Sequence, residues 1–304
     1  MGVLTEEERL LLCLAHVPGI GERGLDVLLR SGIPLAHLFT LSAEELRGRF
    51  GLTSRAAATI AGGPEAVWAR GVPLARTVMQ QGIRLLRRRH PGYPTALAES
   101  EGAPPLLFAH GNIDLLMHPS MALLSSSKES RAGLERTGDL ALACAKAGIA
   151  IVAGHNRPCY RAAVSSAKAH GGGRIIVLDR GLLDAFQGDF SRDLFPTARL
   201  WGYGFDRERS VALSPFPLDA HFAGLRNRQR DRVVALLASV VVAVEIRSGG
   251  VMEGECRKAR QRGTPVFVCA GPDIPEGNRA LLADGFPPLP EVDPVARVLS
   301  HHAP

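Results

Sequence analysis

The sequence predicts an α/β protein in which a doubly wound, mostly parallel sheet follows a small helical module. Short apolar runs, several of them rich in β-branched residues, alternate with helical patterns from about residue 121 onward. Glycine or serine turns follow several of these runs, as they do at the strand ends of a parallel sheet. Before residue 82, apolar residues instead recur three and four positions apart, which is typical of helices.

Two local signals stand out in the helical part. Ser42 and Glu45 form the capping-box pattern of a helix that begins near Ala43. The segment Val-Pro-Gly-Ile-Gly at residues 17–21 precedes a helix whose leucines at 25, 28 and 29 should face inward. This pattern is typical of a helix-hairpin-helix unit, which offers free N–H groups to a phosphate. The unit can contact a nucleic-acid backbone or act only as a structural module, and both interpretations stay open.

The sheet is predicted from six apolar runs, at residues 121–124, 149–154, 173–178, 211–214, 240–244 and 265–268. A further short strand is expected within residues 104–111, and helices at about 131–147 and 162–169. Strands that alternate with helices imply a parallel sheet with right-handed crossovers. We therefore predict a helical domain over residues 1–82, a sheet domain over 83–290 and a C-terminal tail over 291–304.

Composition favours an anionic partner. The chain has 304 residues, 46% of them apolar, a net charge of +6 and a pI of about 9.4. Its five cysteines are scattered without a CxxC pair, as in a cytosolic protein with reduced thiols. We expect a cytoplasmic protein, because no export signal and no membrane-length apolar run is present. His155 and Cys159 lie four apart but lack a second pair, so we predict no metal and no cofactor.

A basic cluster precedes the last two strands of the predicted sheet. It contains Arg226, Arg228, Arg230 and Arg232, and the glycine turn Ser248-Gly249-Gly250 follows the next strand. Strand ends of a parallel sheet expose backbone N–H groups that bind phosphate. Arginines beside such strand ends indicate a ligand that carries several phosphates in a chain.

Taken together, these motifs resemble the DprA/Smf family of DNA-processing proteins. The resemblance rests on Arg-Asn-Arg at 226–228, the glycine turn after Glu245, Pro-Val-Phe-Val at 265–268 before Gly271, and Gly-Asn-Arg-Ala-Leu-Leu at 277–282. It also covers the helical module and the lead-in Pro-Gly-Tyr-Pro at 91–94. It implies an extended Rossmann-like domain, preceded by helix-hairpin-helix or SAM-like helices. We predict no winged helix, which many members carry after the sheet domain.

The chain departs from the family pattern at three places. The family's first strand ends in Val-Gly-Ser/Thr-Arg, where this chain has Ser-Ser-Ser-Lys at 125–128. The lysine keeps the charge but loses the two-pronged phosphate grip of arginine. After the second strand, Gly154 is kept but the rest of the loop at 153–160 is rewritten. The family's arginine pair matches either 226–228 or 230–232, the second without a gap.

The resemblance implies a binding role along the strand ends. The predicted phosphate-binding residues are strand-end glycines and serines with neighbouring basic or amide residues: Ser126, Ser127, Lys128, Gly154, Arg226, Asn227, Arg228, Arg230, Arg232, Ser248, Gly249, Gly250, Gly271 and Asn278. The expected partners are single-stranded DNA, a RecA-type recombinase and a second copy of the chain, in DNA uptake, recombination and natural transformation.

An enzyme or a nucleotide sensor is the alternative. The glycine turn opens a helix that bears Glu253 and Glu255, in outline like the LOG nucleotide phosphoribohydrolases of the same superfamily. Such a carboxylate can stabilise an oxocarbenium-like transition state, but it can equally be a first-turn glutamate favoured by the helix dipole. No nucleophile elbow, Walker A loop or HExxH motif occurs, so no catalytic residue is assigned.

Overall fold

The computed structural model describes residues 4–296. Five helices build the N-terminal part: α1 (Glu6–Ala15), α2 (Glu22–Arg30), α3 (Ala43–Phe50), α4 (Ser54–Ala61) and α5 (Pro64–Gln81). The capping box that was predicted at Ser42 is confirmed, since its hydroxyl accepts from the Glu45 N–H and the Glu45 carboxylate accepts from the Ser42 N–H. Leu25 and Leu28 are buried as expected, and Leu29 is partly buried against the core.

An eight-stranded sheet follows within residues 4–296. Its strands are β1 (Arg84–Arg87), β2 (Leu106–Gly111), β3 (Ser120–Ser125), β4 (Ala150–Gly154), β5 (Arg174–Val177), β6 (Ser210–Ser214), β7 (Val240–Glu245) and β8 (Val266–Val268). The order is β1-β2-β6-β5-β4-β3-β7-β8. The six apolar runs predicted as strands are present as β3 to β8 and run parallel to one another, and the further strand expected within residues 104–111 is β2. β1 and β2 add an antiparallel edge.

Helices connect the parallel strands and place the site. The longer ones are α7 (Arg131–Lys146), α8 (Pro158–Ala169), α11 (Arg226–Leu237), α12 (Val251–Gln261) and α13 (Glu276–Ala283), and the short ones are α6 (Thr95–Ala98), α9 (Leu182–Phe186) and α10 (Pro196–Leu200). α8 begins four residues before the predicted start at 162 because Pro158 occupies its first turn, where a missing N–H costs nothing. From β3 the chain builds β4, β5 and β6 outward on one side, and it then returns to add β7 and β8 on the other side of β3. The crevice at the carboxyl ends of β3 and β7 is therefore the topological switch point of the sheet.

The helical part packs against the sheet through polar contacts. The Leu218 N–H donates to His16 Nε2 at 2.8 Å, and an Arg88 guanidinium nitrogen lies 3.3 Å from an Asp26 carboxylate oxygen. In the hairpin between α1 and α2, Gly19 has φ +94° and an added Cβ would collide with the Thr53 hydroxyl. The Glu22 carboxylate accepts from the side-chain amide of Gln229 on α11. The hairpin therefore lies beside the basic helix.

Two sequence expectations concern the boundary between the helical part and the sheet, and the C-terminal tail. Helices give way to the sheet between Gln81 and Arg84, near the predicted boundary at 82 and 83. Of the predicted tail, residues 291–296 are described and Val295 is buried against the core, while the remaining positions lie outside the described residues. Within residues 4–296, no helix is both long and apolar enough to cross a membrane.

We expect acid to destabilise the protein through His110. Its ring on β2 is buried within 4.9 to 5.4 Å of the Phe186, Phe190 and Phe205 ring centroids. Burial, aided by the charge of Arg207, lowers the pKa of His110 from 6.5 to about 4. Below pH 6.5 the unfolded chain therefore takes up a proton that the folded protein does not. The free energy of unfolding should fall by about 2 kcal/mol from this group between pH 6.5 and 5.

Urea denaturation at pH 7 and pH 5 measures this effect. The variant His110→Leu should lose about 2 kcal/mol less than the wild type over this range, because leucine does not titrate. Burial also lowers the pKa of His155 to about 4, so the variant should keep part of the acid sensitivity. An identical loss of stability in variant and wild type would contradict the prediction.

Candidate nucleic-acid interface

The switch-point crevice lies between the carboxyl ends of β3 and β7. It encloses about 190 Å³ and is lined by Ser126, Ser127, Lys128, Arg247 and Ser248, among others. The Arg247 N–H donates to the Ser126 hydroxyl at 2.8 Å, and its guanidinium donates to the Ser127 carbonyl at 2.9 Å. These bonds tie the two strand ends together. Lys128 and Ser248 are exposed, and the crevice brings two cations, those of Lys128 and Arg247, together with the carboxylates of Glu245 and Glu276.

A second, larger groove adjoins the crevice. It encloses about 600 Å³ between α11, the first turns of α12 and the helical hairpin, and we call it the arginine groove. Arg228, Arg232 and Lys258 supply its positive charges, and Glu22 and Glu255 its negative ones. Gly250 lines the groove, and a Cβ there would lie 3.8 Å from the Ser126 hydroxyl of the crevice. The two cavities are thus neighbours on either side of Gly250, and we call them together the basic track.

Helical spacing divides the four predicted arginines into two faces. Arg228 and Arg232 lie four residues apart on α11 and both line the arginine groove. Arg228 is exposed, and Arg232 is half-buried with a guanidinium bond to the Glu101 carbonyl. Arg226 instead donates to the His221 carbonyl and stacks over Phe216 at 5.0 Å. Each of the two candidate arginine pairs, 226 with 228 and 230 with 232, therefore contributes one arginine to the groove.

Arg230 lies inside the protein, with 0% of its surface exposed. Its guanidinium donates to Asp231 at 2.7 Å, to the Asn227 side chain at 3.2 Å and to the His155 carbonyl. A second carboxylate, that of Asp179, lies 3.5 Å away. The predicted phosphate contact is therefore wrong for Arg230 in this structure, because its donors serve buried acceptors. Asn227 is occupied by the same network.

Gly154 is part of this network rather than of the exposed rim. The residue is buried at the end of β4, and an added Cβ would collide with the Arg230 side chain and with the Tyr160 ring. The Tyr160 hydroxyl donates to Asp231 at 3.0 Å, and Arg157 donates to the other oxygen of Asp231 at 3.1 Å. The rewritten loop thus closes over the position where sequence analysis expected a free phosphate donor.

In the glycine turn after β7, the backbone N–H groups of both glycines already have acceptors within the protein. Gly249 has φ +68°, which favours glycine, and its N–H donates to the Glu253 carboxylate at 2.6 Å. Gly250 is the N-cap of α12 with φ −86°, and its N–H points to the Arg247 carbonyl at 3.3 Å. The Gly249 N–H is therefore not available to a phosphate in this conformation. Gly250 contributes a surface without a side chain that lets a ligand approach.

The last two predicted residues lie beyond the groove. Asn278 on α13 has no exposed surface, accepts from the Ile246 N–H at 2.6 Å and donates to the Val244 and Cys269 carbonyls at 3.0 Å. Its predicted phosphate contact is therefore corrected to a structural role that joins β7 to the end of β8. Gly271, with φ +141°, is exposed after β8 and lines neither cavity.

Several residues that line the basic track were not predicted from the sequence. Arg247 lies two residues after the end of β7 and could have been found from that position alone. Lys258 lies two turns into α12, with its ammonium 3.0 Å from the Glu255 carboxylate. Glu22 comes from the helical part, more than 200 residues away along the chain. No local signal connects Glu22 to the arginines, because only the packing of the hairpin on α11 brings them together.

Fold and site define a doubly wound α/β protein with a basic track at the point where such sheets bind phosphate-containing ligands. The chain belongs to the family of DNA recombination-mediator protein A, whose family model matches residues 84–297. The resemblance to the DprA/Smf family is thereby confirmed.

One relative by sequence and two solved structures illustrate the relationship. The DNA processing protein DprA of Streptococcus pneumoniae is 29% identical over 203 residues, which span 64% of this chain and 66% of that protein. An X-ray structure of DprA from the same species matches with a TM-score of 0.71 at 20% identity, over 97% of this chain and 98% of the other. DprA of Helicobacter pylori, whose structure is described for its single-stranded DNA binding mode, matches at 0.58 and 19%, over 72% and 96%. These structures confirm the Rossmann-like fold.

Proposed function

We propose that this protein binds single-stranded DNA along the basic track and acts in DNA processing. The observation that carries the proposal is the pair of arginines, Arg228 and Arg232, on one face of α11 beside the glycine turn. Lys258, Arg247 and Lys128 extend this charge across the switch point. A row of cations along strand ends suits a chain of phosphates better than a single phosphate group. Membership of the family and the single-stranded DNA binding of the Helicobacter pylori protein support the same ligand.

Salt dependence tests the proposal directly. With about four to five neutralised phosphates, the slope of log K against log salt for a single strand should be roughly −3 to −3.5. Fluorescence anisotropy of a labelled oligothymidine, titrated at several salt concentrations, measures this slope. Oligomers of other composition should bind with similar affinity, because phosphate contacts carry no sequence information. A flat salt response, or no binding at low salt, would contradict the proposal.

The finer features of the function rest on the family. We propose a RecA-type recombinase and a second copy of this chain as protein partners, and a role in recombination during DNA uptake in the cytoplasm. The description of the family as a recombination mediator supports this assignment. Sedimentation of the purified chain tests dimer formation, and DNA strand exchange by a RecA-type protein with and without the chain tests mediation.

One feature of the arginine groove favours a nucleotide ligand instead. Glu255 is buried, with 4% of its surface exposed, and one of its carboxylate oxygens has no hydrogen-bond partner within residues 4–296. Such an oxygen can accept from a ribose hydroxyl. Glu253, the other glutamate of the helix, has both oxygens engaged, one by the Gly249 N–H and one by Arg257 at 2.7 Å. Glu255 is therefore the carboxylate through which a sensor or a hydrolase would act.

The variant Glu255→Gln separates the two functions. If DNA is the ligand, the variant should bind oligothymidine about threefold more tightly, because Lys258 loses its ion-pair partner and can turn to phosphate. If a nucleotide is the ligand, the variant should lose affinity for mononucleotides, or lose the release of base from them. Anisotropy with the oligomer and calorimetry with a mononucleotide panel distinguish these results. Glu276→Gln at the crevice is the matched control, because it also removes a negative charge near the basic track but leaves Glu255 in place.

A further inference from the structure

A third cavity carries exposed aromatic rings on the α8 side of the sheet. It encloses about 600 Å³ between α8 and the segment at residues 193–203, and we call it the α8 groove. Val164 and Phe195 form its buried floor. The rings of Trp201 and Tyr203 stand at its edge with 74% and 60% of their surface exposed. Large aromatic side chains with this exposure are rare on a protein surface unless they meet a ligand or a partner.

The backbone that carries these rings is firmly held. The Tyr203 N–H donates to the Ala198 carbonyl at 3.0 Å, and the Tyr203 carbonyl accepts from the Asp193 N–H at 3.2 Å. The Arg199 guanidinium donates to the carbonyls of Ala185 at 2.7 Å and Leu194 at 3.2 Å. The two rings therefore project from a fixed support rather than from a loose loop.

The charges of the α8 groove favour a polyanion. Arg161 is exposed, and its side chain has no partner within residues 4–296. The Lys168 ammonium lies 2.6 Å from the Asp193 carboxylate and 5.1 Å from the centre of the Tyr203 ring. Asp193 is the one acidic residue among those that line the groove within the described part of the chain, and its pairing with Lys168 leaves Arg161 as the unpaired charge. Exposed rings next to cations are the combination that binds unpaired bases together with their phosphates.

One end of the α8 groove lies at the strand-end edge of the sheet, the edge that also carries the basic track. α8 begins where β4 ends, so Arg161 in its first turn is on the strand-end side of the sheet. One turn earlier, Arg157 bonds to Asp231 on α11, the helix that carries Arg228 and Arg232. From Arg161 to Lys168, seven residues of helix span about 10 Å. This length accommodates roughly three stacked bases at about 3.4 Å each.

We propose that the α8 groove is a stacking subsite for the bases of single-stranded DNA that leaves the basic track, with Trp201 as the principal platform. The subsite rests on the proposed function, because the phosphates of the same strand must first occupy the track. A strand that reaches both sites gains base stacking in addition to phosphate contacts, whereas a strand that covers only the track does not.

Two oligothymidines test the subsite, one of about six and one of about twenty nucleotides, within the range that single-strand sites occupy. Trp201→Ala should weaken binding of the longer oligomer roughly tenfold and leave the shorter one unchanged. Trp201→Phe should restore most of the loss, because it keeps a ring. Leu200→Ala is the matched control, since Leu200 is 86% exposed beside Trp201 but does not line the groove.

Fluorescence gives an independent measure. The chain has two tryptophans, so Trp68→Phe leaves Trp201 as the single indole reporter. The longer oligomer should quench this fluorescence, and Arg161→Ala should reduce the quenching. Binding without quenching would overturn the subsite and leave the proposed function intact. Equal effects of Leu200→Ala and Trp201→Ala, with a change in sedimentation, would overturn the subsite and make the surface a protein interface. Failure of both oligomers to bind the wild type would overturn the proposed function itself.

Discussion

Replacing Arg228 and Arg232 together with alanine should reduce the affinity for single-stranded DNA about 100-fold. Both side chains line the arginine groove from one face of α11. Each charge-assisted contact with a phosphate contributes about 1.5 kcal/mol, so the loss of two corresponds to roughly that factor. The slope of log K against log salt should also become shallower by about 1.4, because two fewer phosphates are neutralised. Anisotropy titrations of an oligothymidine at several salt concentrations measure both changes.

A matched control separates the site from the overall charge of the protein. Arg192→Ala removes an exposed arginine that pairs with Asp189 and lines neither cavity of the basic track. It should leave both the affinity and the salt slope unchanged within error. Equal losses from Arg192→Ala and from the arginine pair would indicate a diffuse basic surface. A loss of affinity with an unchanged slope would mean that the two arginines do not contact phosphate.

Replacing Arg230 with alanine should destabilise the fold by about 4 kcal/mol, as expected when one partner of a buried ion pair is removed. The change would leave the buried carboxylates of Asp179 and Asp231 without a shared counter-ion, and the His155 carbonyl and the Asn227 side chain without a donor. Arg230→Lys should restore little of this stability, because an ammonium cannot reproduce the five donors of the guanidinium fork. Thermal unfolding should show a midpoint lower by roughly 10 °C.

The variant Arg228→Ala is the control for the loss of stability expected from Arg230→Ala. Arg228 lies two residues away on the same helix but is exposed, so its removal should change stability by less than about 0.5 kcal/mol. We therefore expect the two variants to have opposite effects: Arg228→Ala weakens DNA binding roughly tenfold and keeps stability, and Arg230→Ala loses stability. If Arg230→Ala unfolds at the wild-type temperature but binds no DNA, Arg230 belongs to the interface rather than to a buried network.

Much of the architecture could be predicted from sequence because its signals are local. The apolar runs at β3 to β8 are each buried on both faces of a parallel sheet, so they appear in the sequence as continuous stretches. The Ser42 capping box needs only residues three apart. Of the two antiparallel edge strands, β2 was expected within residues 104–111 but β1 was not, because Arg84–Arg87 has the pattern of a charged segment although Leu85 and Leu86 inside it are buried.

The candidate site was predicted only in outline. Its location at the strand ends follows from the alternation of strands and helices, whereas the strand order of the folded sheet decides that the switch point lies between β3 and β7. The helical period also places Arg228 with Arg232 and Arg226 with Arg230, since residues four apart share a face. The Arg-x-Arg motif instead pairs 226 with 228 and 230 with 232, and this pairing does not show the two faces. Glu255, Lys258 and Glu22 reach the groove through packing, which no spacing in the sequence indicates.

By itself the sequence therefore determined the class of fold, the order of its strands and helices, and the presence of a basic strand-end rim. It could not determine which arginine face of α11 turns inward. Only the tertiary structure decided that, because the carboxylates of Asp179 and Asp231 come from separate elements and meet at one buried point. A guanidinium is stable there when its charge and its donors are all matched, and Arg230 fulfils this condition. Arg228 and Arg232 are thereby left facing the groove, where solvent and a ligand can reach them.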